Sequence, residues 1–471
     1  MEKIGKKLVA GCMSVLFSVA FIAPAQAQQV TLDDLLKRVE AVEKKNSDLQ
    51  QENASLKAEV QAMKDKQSAQ EAQINDVQTK TAQVAAAPVA PAAGEGNPIT
   101  SKLKLKVYGY VQAESVYSTG GAPTSSTGYS NVIAYTAPHQ TVNKSVKDFK
   151  ISGQNSRLGV SITGPDLAEG KTSGKVEIDF NNPSASSGAE TYQPRLRLAY
   201  ASLDYDKWGV TAGHNWDFFQ PVKPDVINSS ALWRAGDFGY RHPQIYLTNK
   251  WGEILGGKVT TQVGIIDSDD IYQETSGGPV VGAYASYATK VLSRDVTLSG
   301  GGIFGTTATT LINSSSVGKN NNDMYAGVAD AQISFTNWLS LKASGFMGGN
   351  LANFMGGPYG STVPGLINAT GNLQNSKPLK TIGGFVQTTL KPTQKLQFNL
   401  GAGIDDTTNR DSITSDYTTI WSTNRTYFAN VKYYLTKDLM VGVEYQYLHT
   451  NWLDGDESAD NRIDTSVCYF F

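Results

Sequence analysis

The sequence predicts an all-β transmembrane antiparallel barrel of about 16 strands, preceded by an N-terminal α-helical coiled coil. Three observations carry this. Segments after residue 102 alternate apolar and polar residues with a period of two. Tight polar turns alternate with long polar loops. The chain ends on an aromatic strand: Phe471, Tyr469, Val467, Thr465 and Ile463 share one face, and Phe470, Cys468, Ser466, Asp464 and Arg462 share the other. A sheet with lipid outside and water inside needs this alternation, and it cancels in any average. The mean hydropathy of -0.29 therefore does not exclude a membrane protein. It does exclude a multi-span helical one, which needs repeated apolar runs of roughly 20 residues. A net charge of -2 provides no global field for nucleic acid, which is not an expected partner.

Residues 1–27 read as a secretory signal peptide. Lys3, Lys6 and Lys7 precede an apolar stretch from Leu8 to Ile22, and Ala25-Gln26-Ala27 forms a small-x-small cleavage site. Residues 28–84 hold one heptad frame. Its a and d positions include Leu32, Leu35, Val39, Val42, Asn46, Leu49, Asn53, Leu56, Val60 and Met63. A 3.5-residue period kept over more than four heptads favours a self-associating coil, and Asn at two a positions fixes register at some cost in stability. At 1.5 Å per residue the rod would reach roughly 80 Å. Residues 85–101 are a linker of Pro, Ala and Gly that ends the helix. The barrel then occupies 102–471. Cys12 lies in the leader and Cys468 in the barrel, so no pair is left for an internal disulfide.

Within the barrel, Leu105, Val107 and Val111 alternate with Lys104, Lys106, Tyr108 and Tyr110. Leu158, Val160 and Ile162 alternate with Arg157. Val176 and Ile178 alternate with Glu177 and Asp179. Leu196, Leu198 and Tyr200 alternate with Arg195, Arg197 and Ala199. The same rhythm runs through 395–405, 427–435 and 439–447. Tyr205-Asp206-Lys207, Asn337-Trp338, Lys391-Pro392-Thr393-Gln394 and Thr436-Lys437-Asp438 read as short periplasmic turns. Stretches 119–148, 216–242, 306–323, 348–379 and 406–418 read as long external loops. The terminal Phe471, with Tyr469, is the expected handle for the barrel-assembly machinery.

The arrangement of leader, heptads, Pro/Ala linker and barrel resembles the DcaP-like family of trimeric outer-membrane porins. The resemblance extends to Arg195-Leu196-Arg197-Leu198-Ala199-Tyr200, to Gly213-His214-Asn215-Trp216, and to Arg241-His242-Pro243-Gln244. His214 and His242 depart from the family pattern, which usually has Gln there. The resemblance implies a homotrimer in the outer membrane of a Gram-negative bacterium, with small anionic solutes such as dicarboxylates as cargo. Phosphate-selective porins share a similar layout.

The residues themselves place Arg157, Arg195 and Arg197 on lumen faces, with Glu177 and Asp179 between them and Lys104 and Lys106 toward the periplasmic mouth. Guanidiniums in a confined aqueous pore attract and orient carboxylates. The same groups could equally form a salt-bridge ladder that holds the wall. Loop 216–242, with Trp216, Asp217, Arg234, Asp237 and Arg241, is the candidate constriction. No catalytic motif, metal-ligand spacing or cofactor pattern appears among the four histidines or elsewhere, so no enzyme, metal or cofactor is expected. A second function class stays open. The periplasmic rod could tether the barrel, as an anchor, to peptidoglycan.

Overall fold

The computed structural model describes residues 103–120, 137, 147–181, 193–228, 230–268, 275–276, 278–313, 316–358, 362–363, 377–410 and 421–471. It also describes Glu43, Lys44, Gln50, Lys57 and Gln61, all helical and exposed. These five occupy positions flanking the heptad core. The core positions, the leader and the linker lie outside the described residues.

Sixteen antiparallel strands close on themselves. They are β1 (Lys104–Ser118), β2 (Asp148–Ser152 continued by Arg157–Thr163), β3 (Lys171–Asp179), β4 (Arg195–Asp204), β5 (Trp208–Trp216), β6 (Arg241–Ile254), β7 (Gly257–Ile266), β8 (Val280–Val291, with Thr275–Ser276 before it), β9 (Arg294–Asn313), β10 (Ser316–Ser334), β11 (Leu339–Gly349), β12 (Lys380–Thr393), β13 (Leu396–Thr407), β14 (Trp421–Tyr434), β15 (Leu439–Trp452) and β16 (Glu457–Phe470). Each pairs with its sequence neighbour, and β1 pairs with β16 from Tyr110↔Phe470 to Ser118↔Arg462. Closure leaves no strand edge unpaired across the barrel, which is what a lipid-exposed sheet requires. The last residue finishes the seam: Gly109 N and Phe471 N each donate to the other's carbonyl at 3.1 Å.

The alternation read from the sequence sorts residues as expected over most strands. Leu105, Leu400, Tyr427 and Tyr469 are exposed on the outer face, while Glu444, Arg462 and Asp464 are fully buried inside. Strand β4 is the exception. Its pairing with β3 shifts register between Glu177 and Ile178, so Arg197 stands as an extra residue between Leu196 and Leu198. A bulge puts two successive side chains on one face. Arg197 and Leu198 are therefore both buried. The expectation that Leu198 and Tyr200 face outward with Leu196 is overturned by that one inserted residue, and Tyr200 pairs with Lys175.

Three loop expectations also change. Residues 306–323 are mostly strand, because β9 and β10 stay paired out to Asn313↔Ser316. Their Thr, Asn and Ser content offers no apolar alternation by which the sequence could mark the strands. Trp216 and Arg241 end strands, so the loop proper is 217–240. Of 348–379, the first part turns inward: Ala352–Phe354 form a buried 3₁₀ turn. Two further tight turns escaped the sequence reading. At Leu255-Gly256 and Leu292-Ser293 both central residues have φ between 50 and 77°, the geometry that short hairpin turns prefer. The first carries Gly256-Gly257, a turn signal that the leucine before it obscured, and the second has only Ser293 to mark it.

Candidate functional site

The two inward segments give the barrel its core. Phe219 and Phe238 from 217–240 pack on Phe354 from the second segment, and Phe238 stacks on Phe346 of β11 with ring centroids 4.7 Å apart. The first segment crosses the lumen and is tied to the far wall by hydrogen bonds. Glu444 of β15 accepts Ile227 N at 2.7 Å and Asn228 N at 3.0 Å. Gln387 of β12 accepts Asp225 N at 2.7 Å. Lys432 of β14 pairs with Asp225 at 2.5 Å. Burial alone would raise the Asp225 pKa, but the Lys432 ammonium and its hydrogen bond hold it below the usual carboxylate value.

Where the loop returns, it rests on bare backbone. Gly236 has φ 111°, and a Cβ there would lie 2.3 Å from Gly384 O and 2.9 Å from Gly403 Cα. Only glycine fits such an approach. Asp405 of β13 joins both inward segments, accepting Gly236 N at 2.7 Å and Gly357 N at 3.0 Å.

On the opposite wall stands the arginine cluster. Arg195 grips Asp179 with two bonds, Nε to Oδ1 at 2.9 Å and Nη2 to Oδ2 at 2.7 Å. Arg197 bridges the two acids, reaching Glu177 and Asp179 at 2.8 Å each. The β4 bulge is what lets one guanidinium sit between carboxylates of neighbouring positions on β3. Arg157 of β2 differs from both. Its guanidinium lies 5.2 Å from the Tyr110 ring. Its Nε is buried with no hydrogen-bond partner, and it forms no ion pair with any described residue.

Between these walls lies a cavity of about 320 Å³. Arg157, Arg195, Arg197, Lys223 and Lys432 line it, with Trp216, Trp233, Tyr110 and Tyr240. Among the described residues, no carboxylate does. Glu177 and Asp179 sit behind the arginines they hold. The salt-bridge ladder and the basic lining are thus one construction: the ladder fixes the guanidiniums of Arg195 and Arg197 at the edge of the cavity.

The other sequence candidates divide. Trp216 faces the cavity, with the Arg241, Lys223 and Arg197 cations 5.0, 5.7 and 6.0 Å from its ring. Arg241 is 3% exposed and donates to Tyr240 Oη at 2.6 Å. Asp217 is buried and fixes the loop base, accepting Tyr240 N at 2.6 Å and contacting His242 Nδ1 at 2.7 Å. Arg234 and Asp237 are fully buried and do not line the passage. Arg234 binds the carbonyls of Gly357 and Ala352, and Asp237 pairs with Lys223. Lys104 and Lys106 are exposed at the short-turn end of β1, away from the cavity. Sequence reasoning missed Lys223, Lys432, Asp405 and Glu444. Lys432 had a signal, since it alternates with outward Val431 and Tyr433. Lys223 had none. Among the described residues, no group of three His, Cys, Asp or Glu is placed to hold a metal ion.

A closed 16-strand antiparallel barrel with an inward loop is the fold of outer-membrane porins. One solved structure it is similar to is the outer membrane channel DcaP of Acinetobacter baumannii, at 18% identity and a TM-score of 0.63, covering 81% of this chain and 100% of that one. An anion-selective porin from Comamonas acidovorans aligns at 12% identity and a TM-score of 0.49, covering 78% and 100%. No family model and no curated protein matches the sequence.

Proposed function

We propose that the chain is a passive outer-membrane porin that favours small hydrophilic anions such as dicarboxylates, works as a homotrimer, and carries residues 28–84 as a periplasmic coil that aids assembly. The observation that supports the anion preference is the lining of the cavity: five cations and no carboxylate among the described residues. In a narrow aqueous passage, fixed charge of one sign attracts counter-ions and repels co-ions.

Arg157 is the residue to test, because removing it breaks no ion pair and leaves no carboxylate stranded. The reversal potential of the purified protein in a potassium chloride gradient reads the preference. Anion preference is expected in the native protein and a weaker one in Arg157→Gln. Cation preference, or a reversal potential unmoved by Arg157→Gln, would overturn the reading.

A further inference from the structure

The outer face of the barrel carries a second concavity, on β12–β14 toward the long-loop end. Part of its floor is bare backbone. Gly384 stands opposite Gly345, and a Cβ on Gly384 would meet Ser344 O at 2.5 Å. Ile382, Val386, Ile404 and Tyr427 form the sides and are 46%, 46%, 39% and 52% exposed. Arg410, Asp406 and Arg425 close the upper end. Arg410 is engaged by Asp406 and Thr423. Arg425 stands beside Ile404 in register and two residues above Tyr427 on β14. It makes no hydrogen bond or ion pair with any described residue.

An apolar trough capped by an unpaired guanidinium matches one kind of molecule: an acyl chain attached to a phosphate-bearing headgroup. Long loops mark the external side of such barrels, so this end of the wall meets the outer leaflet. There the lipids are phosphorylated glycolipids. We propose that the groove is a seat for one such glycolipid, an acyl chain lying along Gly384, Ile404 and Tyr427 and a phosphate on Arg425. The inference rests on the outer-membrane reading above.

The placement has a mechanical side. Gly384 and Gly403 are the two backbones on which Gly236 rests from within. The groove and the loop anchor therefore press on opposite faces of a wall one peptide layer thick.

The test is native mass spectrometry of the full chain in detergent micelles, titrated with bis-phosphorylated lipid A, dephosphorylated lipid A or phosphatidylglycerol. Arg425→Gln should weaken retention of bis-phosphorylated lipid A about tenfold, the loss of one charge-assisted contact, and leave dephosphorylated lipid A unchanged. Ala402→Trp, which fills the trough from the outer face, should weaken both forms. Arg425→Lys should retain most of the affinity. Heat-modifiable gel mobility confirms that each variant is folded. Unchanged affinity in Arg425→Gln, no effect of Ala402→Trp, or phosphatidylglycerol held as tightly as lipid A would overturn the proposal. Conductance is measured on the same samples. A conducting protein that fails to retain lipid A overturns the lipid seat alone, whereas a folded protein without conductance overturns the channel reading.

Discussion

Substituting Glu444 by Gln tests whether the far-wall tether holds the constriction. Both carboxylate oxygens are used. Oε1 accepts Asn228 N and Gln446 Nε2 at 3.0 and 2.9 Å, and Oε2 accepts Ile227 N and Asn430 Nδ2 at 2.7 Å each. A glutamine keeps one acceptor and turns an NH₂ group toward the other two donors. A side-chain amide can flip to adapt, but a backbone N–H cannot. Either Ile227 N or Asn228 N is left facing a donor. A buried donor without an acceptor costs about 1–3 kcal/mol, and the remaining bonds lose their charge-assisted part. The tether thus weakens by about 2–5 kcal/mol. Since about 1.4 kcal/mol is a factor of ten, the released fraction of the loop tip rises at least tenfold. Single-channel recording in planar bilayers should show transitions to a larger conductance, or added open-channel noise, in Glu444→Gln and more in Glu444→Ala. A single quiet level in both variants, equal to the native one, would refute the tether.

Two further outcomes follow from the same geometry. Cys468 lines the cavity with Arg157 and Lys432, and with Cys12 replaced by Ser it is the single thiol of the chain. A unit charge about 8 Å away in water-like surroundings contributes about 0.5 kcal/mol. An anionic methanethiosulfonate should therefore label it about fivefold faster than a cationic one of similar size, and equal rates would contradict a basic passage. The lowered pKa of Asp225 sets a pH window. Its anchor to Lys432 is fully present above the ordinary carboxylate value of about 3.9 and is lost as pH falls through the lower folded value. The part of the loop fluctuation that depends on Asp225, read as the difference from Asp225→Asn, should appear only below about pH 4. Fluctuation starting near pH 6 would exclude Asp225 as the responsible group.

Much of this architecture is legible in the chain because a barrel wall is a local code. Period-two alternation at 104–111, 395–405 and 462–471 states which side chains meet lipid without knowledge of any distant contact. The arginine cluster is legible for the same reason, since Arg195, Arg197, Glu177 and Asp179 lie on hairpin neighbours. What alternation cannot carry is phase after an insertion. The bulge at Arg197 reverses the remainder of β4, and no residue type announces it. Nor can alternation report contacts across the lumen. Asp405 and Glu444 are acids on alternating strands like several others, and their role as anchors depends on a loop that begins more than 150 residues earlier. The turns at Leu255 and Leu292 show the converse limit, where closure of the sheet imposes a left-handed backbone on residues that do not favour it.

The contact of Gly236 with Gly384 and Gly403 makes the barrel's circumference a gauge. The loop starts at β5, and its glycine must touch β12 and β13. One hairpin added between them would widen the barrel by about 3–4 Å, enough to lift the glycine off the far wall. A side chain such as Arg157, which ties down no part of the loop, can change without moving that gauge. In a lineage with this design, selectivity is free to drift by substitution while strand number is held fixed by a pair of missing Cβ atoms.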